Sequence, residues 1–342
     1  MVPLEIDTPR PILDEFGRPA HFGWARSPIF RYNRDLLRPP YRRVTEMERY
    51  IIFSPTHFLI FEVLDSGFLG HISISVVSLK DSKRSTHSFA VPFPMGIFDL
   101  PPNSDTGSIR IQRKKFVIDC TAMEGGVRIV KVDIPRFGHH RSLRGEVALT
   151  PPPGAESILT CSPWQREKNT FRYARSSPWY IAEGVMQLNG TELVFVKDHA
   201  WGILDWNRGV RPRSDTRLWA AACGVSGGRQ ISFNLGRSFA DSSAGTENAF
   251  FLDGKLHKLE QVAFHIPSPD SLEPWHFTCG NKRLEMTFKP HQQRSDRRAM
   301  LLQSLQCRQL CGFFSGSAVL DNGETLEFRD ITGFAERRKT RF

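Results

Sequence analysis

The sequence lacks the long apolar runs of a membrane protein and the regularly spaced cysteines of a disulfide or zinc framework. No apolar run approaches the length that spans a bilayer, and the first residues show no basic region followed by an apolar stretch. The six cysteines are irregularly spaced without a Cys-x-x-Cys pair, so we expect reduced, mostly buried thiols. These absences predict a cytoplasmic protein without a membrane span.

Motifs that bind cofactors or metals are also missing. The chain has no Gly-rich loop followed by Lys and Ser or Thr, no His-Glu-x-x-His helix and no Cys/His quartet. His139 and His140 form an isolated pair that we interpret as part of a solvated loop. Residues 224–228 match Gly-x-Ser-x-Gly, but a nucleophile elbow needs a following helix, and residues 230–235 instead have a strand pattern. We therefore predict no cofactor, no metal site and no serine hydrolase.

Positive charge is in moderate excess. Lys and Arg number 46 against 36 Asp and Glu, which gives a net charge of +10 and makes an anionic partner worth considering. The basic residues are scattered, however, and the only dense run, residues 337–341, lies at the C-terminal end, where solvated tails are common. We expect no nucleic-acid partner.

Alternation of apolar and polar residues with a period of two runs through most of the chain. It is typical of strands with one buried face and is clearest at residues 71–76, 231–235, 262–266 and 283–288. Turn residues punctuate the pattern, among them an Asn-Gly pair at 189–190 and turns at 227–228, 253–254, 280–281 and 322–323. Strands joined by short turns form an antiparallel meander.

The pattern predicts an all-β fold of two antiparallel barrels in tandem. Closure into barrels removes the exposed edges of a long meander, and no short-period repeat supports a propeller. We place the barrels at residues 1–178 and 179–342, because the Pro- and Ser-rich, charged stretch 162–178 would make a poor barrel wall. Residues 296–310 could form one helical face, but we favour a strand.

Several segments resemble the uncharacterised bacterial and fungal family called domain of unknown function 2804. They are residues 204–209 (Leu-Asp-Trp-Asn-Arg-Gly), 234–236, 247–249 with 253–256, and 312–316, and they span nearly the whole chain in order. Where that family usually has Gly, this chain has Asn207, and we expect an effect on the local turn only. A more distant likeness is to the tandem lipocalin-like barrels of the carotenoid hydratase and fungal Diels-Alderase type. It implies two lipocalin-like barrels that bind an apolar small molecule without a cofactor.

The densest chemistry lies in residues 198–209. We predict catalytic roles there for two carboxylates, an imidazole and a guanidinium: Asp205, Asp198, His199 and Arg208. A carboxyl group beside a bulky aromatic can have a raised pKa and act as a general acid. In this interpretation His199 is the proton partner, Arg208 orients the substrate, and Trp201 and Trp206 face a developing cation. The alternative is an ion pair between Asp205 and Arg208 that fixes a tight turn, with the indoles as core plugs.

A second group of polar and aromatic residues is predicted to contact a ligand. Asn234 alternates with apolar neighbours and could face a barrel lumen, where an amide can orient a carbonyl or hydroxyl group. The alternative is that such side chains bind neighbouring backbone and that the indoles pack the core. The predicted ligand contacts are Trp201, Trp206, Trp219, Asn234, Glu247 and Asn248.

We expect a protein that binds an apolar or amphipathic small molecule. Its enzymatic version is a cofactor-free lyase or isomerase that uses acid and base groups, and whether the protein is an enzyme stays open. The alternative is a structural or interaction protein that meets an acidic partner with its basic surface. A cavity lined by the predicted residues would favour the first interpretation.

Overall fold

The structure is a computed structural model that describes residues 4–38, 43–81, 83–114, 116–138, 141–164, 167, 169–237, 245–267, 272–300 and 303–341. His139 and His140 lie outside the described residues. The regular elements given for the described residues are strands, apart from short 3-10 turns at Arg34–Leu36 and Glu124–Gly126. Within these ranges no helix is long and apolar enough to cross a membrane. The predicted all-β class is confirmed.

Fifteen strands precede residue 211 in the described part of the chain. They are β1 (Arg10–Pro11), β2 (Gly23–Ala25), β3 (Phe30–Arg31), β4 (Val44–Phe53), β5 (His57–Asp65), β6 (Leu69–Ser78), β7 (Arg84–Pro92), β8 (Ile109–Arg113), β9 (Phe116–Ala122), β10 (Arg128–Phe137), β11 (Arg141–Thr150), β12 (Ile158–Pro163), β13 (Phe171–Leu188), β14 (Thr191–Phe195) and β15 (Trp201–Val210). β1 and β3 form a small parallel pair. The others form the first sheet, in the order β7-β6-β5-β4-β15-β13-β11-β10-β9-β8, with β12 and β14 also paired to β13 and β2 paired to β12.

Nine further strands form the second sheet. They are β16 (Ser214–Ser226), β17 (Arg229–Arg237), β18 (Ala249–Leu252), β19 (Lys255–Lys258), β20 (Val262–His265), β21 (Trp275–Cys279), β22 (Leu284–Met300), β23 (Gln303–Val319) and β24 (Thr325–Arg341). Their order is β19-β18-β17-β16-β24-β23-β22-β21-β20, and neighbours are antiparallel. The preference for strands at residues 296–310 is therefore confirmed wherever that stretch is described.

The first sheet curls until its two ends approach each other. Phe89 of β7, at one end, packs edge-to-face on Phe116 of β9, near the other, with ring centroids 5.0 Å apart. Each sheet encloses its own apolar core, and a third apolar cluster lies between the sheets. Ile203 belongs to the cluster between the sheets, and its neighbour Leu204 belongs to the interior of the first sheet. β15 is thus buried on both faces.

The predicted Asn-Gly hairpin joins β13 to β14. Asn189 and Gly190 both have positive φ angles, 52° and 82°, as the tight turns that match strand twist require. Gly227 and Gly228, at φ 59° and 76°, likewise join β16 to β17, so the Gly-x-Ser-x-Gly segment is a hairpin. All six cysteines are buried, and none forms a disulfide.

The change from one sheet to the other does not fall at residues 178 and 179. β13 runs through that position, and the chain leaves the first sheet after Val210 and enters the second at Ser214. The charges of the 162–178 stretch had suggested a linker, but Arg172 and Arg175 belong to β13 and form ion pairs.

The basic C-terminal run is a paired strand rather than a solvated tail, and its side chains alternate between buried and more exposed positions. Residues 337–341 continue β24, which pairs with both β16 and β23. Arg338 is only 5% exposed and is paired with Glu62 of the first sheet. The run therefore joins the two sheets.

Candidate functional site

Strand parity decides what the predicted cluster does. In β15 the odd-numbered side chains face the second sheet, and the even-numbered ones face the interior of the first, because successive side chains of a strand point to opposite faces. Asp205 and Arg208 are three positions apart and so lie on opposite faces. The ion pair suggested between them is not formed.

Asp205 belongs to a buried network of charges between the two sheets. Within the first sheet, Asp205, Arg49 and Glu62 are cross-strand neighbours on β15, β4 and β5. Within the second sheet, Arg217 and Arg338 are neighbours on β16 and β24. We call the whole set the inter-sheet network, and its members are Arg49, Glu62, Arg172, Asp205, Arg217, Glu247, Glu336 and Arg338.

Arg49 lies at the centre of this network. Its guanidinium donates to Glu336 over 2.7 Å and to Asp205 over 3.1 Å, and it lies 3.7 Å from Glu62. The Arg49 side chain is fully buried. On the other side, Arg217 donates to the same Asp205 oxygen, Oδ2, over 3.1 Å. Two guanidinium groups from different sheets thus share one carboxylate.

Glu247 continues the network towards one end of the sheets. It accepts from Arg217 over 2.7 Å and from Arg172 over 2.9 Å. Asn207 links the two acids, because its amide donates to Asp205 over 2.7 Å and its carbonyl oxygen accepts from Arg172 over 2.8 Å. We had expected Asn207 to affect a local turn only. It lies instead within β15 and connects charged groups.

The carboxylates of the network are ionised. Burial would raise the pKa of Asp205, but Arg217 and Arg49 lower it well below the ordinary range. Burial would likewise raise the pKa of Glu247, but Arg172 and Arg217 lower it to about 2. The sequence interpretation required a raised pKa at Asp205, which the paired arginines prevent. In this structure Asp205 holds no proton to donate at neutral pH.

Arg208 and Trp206 face the interior of the first sheet. Arg208 donates to Glu48 over 2.9 Å and to the carbonyl of Pro101 over 2.6 Å. Its guanidinium lies 4.1 Å from the ring centre of Trp206, which packs edge-to-face on Tyr173. Arg208 is 1% exposed and Trp206 is fully buried, so both brace the interior in this conformation.

A line of polar groups leads from Glu48 towards the surface. Tyr50 donates to Glu48 over 3.3 Å, and burial and then the Glu48 charge raise the pKa of Tyr50. Burial would lower the pKa of Arg128, but the hydroxyls of Tyr50 and Tyr180 and the Glu48 carboxylate raise it. Arg128 also donates to the carbonyl of Gly107 over 3.2 Å. The guanidinium is thus a permanent buried cation beside two phenols.

Arg128 and Tyr180 reach an open cavity of about 480 Å³, which we call the Arg128 cleft. Arg175 and Trp179 also line it, and Met123 and Pro151 come from its loops. Arg175 donates to Ser157 over 3.1 Å, and Trp179 donates to the carbonyl of Glu156. The sequence patterns did not indicate a site at Arg128, Arg175, Trp179 or Tyr180. Arg175 lies in the stretch that had suggested a linker.

The predicted ligand contacts in the second sheet have structural partners. The ring centre of Trp219 lies 4.5 Å from the guanidinium of Arg49 and 4.7 Å from that of Arg217, and its Nε1 donates to Asn234 over 2.7 Å. Asn234 in turn donates to the carbonyl of Glu247. Asn248 accepts from the Gly236 amide and donates to the carbonyl of Glu260. Trp201, 6% exposed, packs in the apolar cluster between the sheets.

Asp198 and His199 lie in an exposed turn between β14 and β15 and are not part of the network. Asp198 has a φ of 71°, a conformation that Asp and Asn tolerate. We predict that Asp198→Asn combined with His199→Ala changes the free energy of unfolding by less than about 0.5 kcal/mol, as at most exposed positions. Urea unfolding measures this. A larger loss would show that the turn has contacts beyond those described here.

The match that identifies the family covers residues 3–342, and its description is Domain of unknown function (DUF2804). The chain belongs to this family. No curated protein matches the DUF2804 chain. The comparison confirms the resemblance that residues 204–209 and the other segments suggested.

Solved structures share the fold of the DUF2804 chain. The crystal structure of CghA with Sch210972 matches with a TM-score of 0.55 at 10% identity, covering 88% of this chain and 89% of that one. Kievitone hydratase from Nectria haematococca gives a TM-score of 0.48 at 8% identity, covering 87% and 88%. The first match confirms the predicted fold class of two lipocalin-like antiparallel barrels in tandem, and in this chain each of the two is a strongly curled sheet that forms a half-barrel.

Proposed function

We propose that the DUF2804 chain binds an amphipathic small molecule in the Arg128 cleft. The observation that carries the proposal is a cavity of about 480 Å³ with two largely buried guanidinium groups in its lining, Arg128 and Arg175, of which Arg175 is paired with Asp105 of the same lining. Sites for small molecules are commonly 300–1,000 Å³ and combine apolar walls with a few polar groups. Here Trp179, Pro151 and Met123 supply the apolar wall. CghA, of the same fold, was crystallised with Sch210972, which is consistent with a small-molecule role.

The chemistry of the lining fits a cofactor-free lyase or isomerase. The Arg128 guanidinium can stabilise negative charge that develops on a substrate oxygen when a neighbouring C–H bond is broken. The Tyr180 hydroxyl lines the same cleft and can donate its proton to another carbon or to a leaving group, and the phenolate that is left takes the proton of the broken C–H bond, which restores the hydroxyl. In this proposal Tyr180 takes the proton-transfer role that the sequence analysis gave to Asp205.

A pair of fluorescent probes tests the binding site. Anilinonaphthalene sulfonate is apolar and anionic, and N-phenyl-1-naphthylamine is a similar apolar molecule without the sulfonate. We expect the sulfonate to bind more tightly, and Arg128→Met to weaken its binding by about tenfold, the effect of losing one charged hydrogen bond. The neutral probe should bind equally to both proteins. Equal effects on both probes, in a variant with an unchanged melting temperature, would contradict a cleft that recognises anions.

The catalytic part has its own test. Small molecules that co-purify with the chain are identified by native mass spectrometry and are then assayed for conversion. We expect Tyr180→Phe to lower turnover by about 10²–10⁴-fold, the usual contribution of proton transfer, while binding stays within about threefold. Tyr173→Phe is the matched control, because the Tyr173 hydroxyl is buried and donates to the carbonyl of Phe30. Turnover equal in both variants would remove Tyr180 from the mechanism.

A further inference from the structure

We propose that a second, smaller cavity at the end of the inter-sheet network binds a monovalent anion the size of chloride or of a carboxylate group. This cavity, of about 30 Å³, lies where β4, β15, β16 and β24 meet, and we call it the arginine cavity. The proposal does not depend on the Arg128 cleft. Four arginines contribute side chains to the arginine cavity, Arg172, Arg211, Arg217 and Arg338, whereas Arg208 borders it but directs its guanidinium into the first sheet.

The lining is strongly biased in charge. Among the described residues of the lining, Asp215 is the one carboxylate, and the acids that pair with Arg172, Arg217 and Arg338 lie outside it. Burial and then the charge of Arg338 lower the pKa of Arg211 to about 10, and Asp215 opposes this shift while Arg172 and Arg217 add to it. The contribution of the neighbouring arginines indicates a region of positive potential. An anion placed there would relieve that repulsion.

Several donors of the lining have no acceptor. The Trp164 Nε1, the Thr45 Oγ1 and the Arg338 Nε are all buried and have no hydrogen-bond partner among the described residues. All three residues line the arginine cavity. Buried donors are almost always paired in native proteins, since an unpaired one costs about 1–3 kcal/mol. Three such donors around one space indicate a bound acceptor.

Size and hydrogen-bonding capacity favour an anion over water. A volume of about 30 Å³ has room for about two water molecules, since one needs roughly 10–15 Å³. Each water molecule would also need acceptors for its own O–H groups, and the unpartnered oxygens of the described lining that can accept are the Asp215 Oδ1 and the Thr45 hydroxyl. Chloride or a carboxylate group has acceptor sites only and fits a lining dominated by N–H donors.

Thermal unfolding of the full chain tests the proposal. Ionic strength is held constant with gluconate, which is too large for the cavity, while chloride, bromide, formate or sulfate replaces part of it. We expect the melting temperature to rise and saturate with chloride and bromide, or with formate if the site takes a carboxylate group, and to respond least to sulfate. An anion that binds the folded chain but not the unfolded chain stabilises the folded chain and so raises its melting temperature. Equal responses to all four anions would reflect the general positive charge and would overturn the proposal.

Removing one donor at a time tests whether chloride binds in the arginine cavity or elsewhere in the protein. We expect Trp164→Phe and Thr45→Val each to weaken chloride binding by about tenfold, and neither to destabilise the anion-free protein, because each removes an unpaired donor. Trp275→Phe is the matched control, since the Trp275 Nε1 is also buried without a partner but lies in the core of the second sheet. Chloride affinity that is unchanged in Trp164→Phe and Thr45→Val, or reduced equally in Trp275→Phe, would overturn the proposal.

Discussion

Replacing Arg49 by Met should destabilise the folded chain by about 3–5 kcal/mol, which is typical of a buried ion pair that loses one partner. The variant removes the nearest cation from Glu336 and one of the two guanidinium partners of Asp205, and both carboxylates are only 1% exposed. It also removes the cation that stacks on Trp219. The free energy of unfolding is measured by urea denaturation followed by tryptophan fluorescence.

Two controls distinguish the effect of losing a buried ion pair from the effect of losing any arginine. Arg144 pairs with Asp133 over 2.8 Å, but both side chains are more than half exposed, so Arg144→Met should change stability by less than about 0.5 kcal/mol. Adding Glu336→Gln to Arg49→Met should recover part of the lost free energy of unfolding, because it removes a buried negative charge that has lost its nearest cation. A cost below about 1 kcal/mol for Arg49→Met alone would mean that water or a rearrangement compensates the network.

Acid should unfold the chain between about pH 4.5 and pH 2, and the carboxylates of the inter-sheet network should dominate this transition. Burial opposes ionisation at Asp205, Glu62, Glu247 and Glu336, but their arginine partners lower all four pKa values below the ordinary range. The unfolded chain therefore binds protons first as the pH falls. Their stabilisation is complete above about pH 4.5 and is lost towards the folded pKa, which is about 2 for Glu247.

Glu247→Gln tests the contribution of one network acid. A pKa lowered from 4.5 to about 2 corresponds to about 3 kcal/mol at neutral pH. We expect the variant to be destabilised at pH 7 and to lose less stability than the wild type between pH 5 and pH 3. Asp133→Asn, in the exposed pair, should leave the acid transition unchanged. Parallel curves for Glu247→Gln and wild type would show that the Glu247 pKa is unperturbed.

The fold could be predicted from the sequence, because the alternation of apolar and polar residues and the turn residues are local signals. The period of two at residues 71–76 and 231–235 gave β6 and β17, and Asn189-Gly190 gave the hairpin. The change of sheet was misplaced because charge was taken as a sign of solvent exposure. In β13 the charges of Arg172 and Arg175 are neutralised by acids that are distant in sequence, Glu247 and Asp105.

The members of the inter-sheet network were harder to predict from the sequence, because they come from many strands. The sequence indicated Asp205 and Glu247 but none of the arginines that neutralise them. A local signal existed: Glu62 lies between Phe61 and Val63, and Arg49 lies in a strand that is buried throughout. A charge inside an apolar strand predicts a buried partner, although it does not say which one. Parity alone would have separated Asp205 from Arg208 once residues 201–210 were assigned to a strand.

The network also constrains the order in which the molecule can fold. Arg49 and Glu336 are 287 residues apart, and Arg338 and Glu62 are 276 apart, so the charges of β4 and β5 find these partners only after β24 has been made. Contacts of such long separation form late, because closing a long loop costs entropy before any contact forms. Until then the first sheet carries unpaired ions on the face that will be buried. We therefore expect the half-barrels to become stable together, in a single cooperative transition.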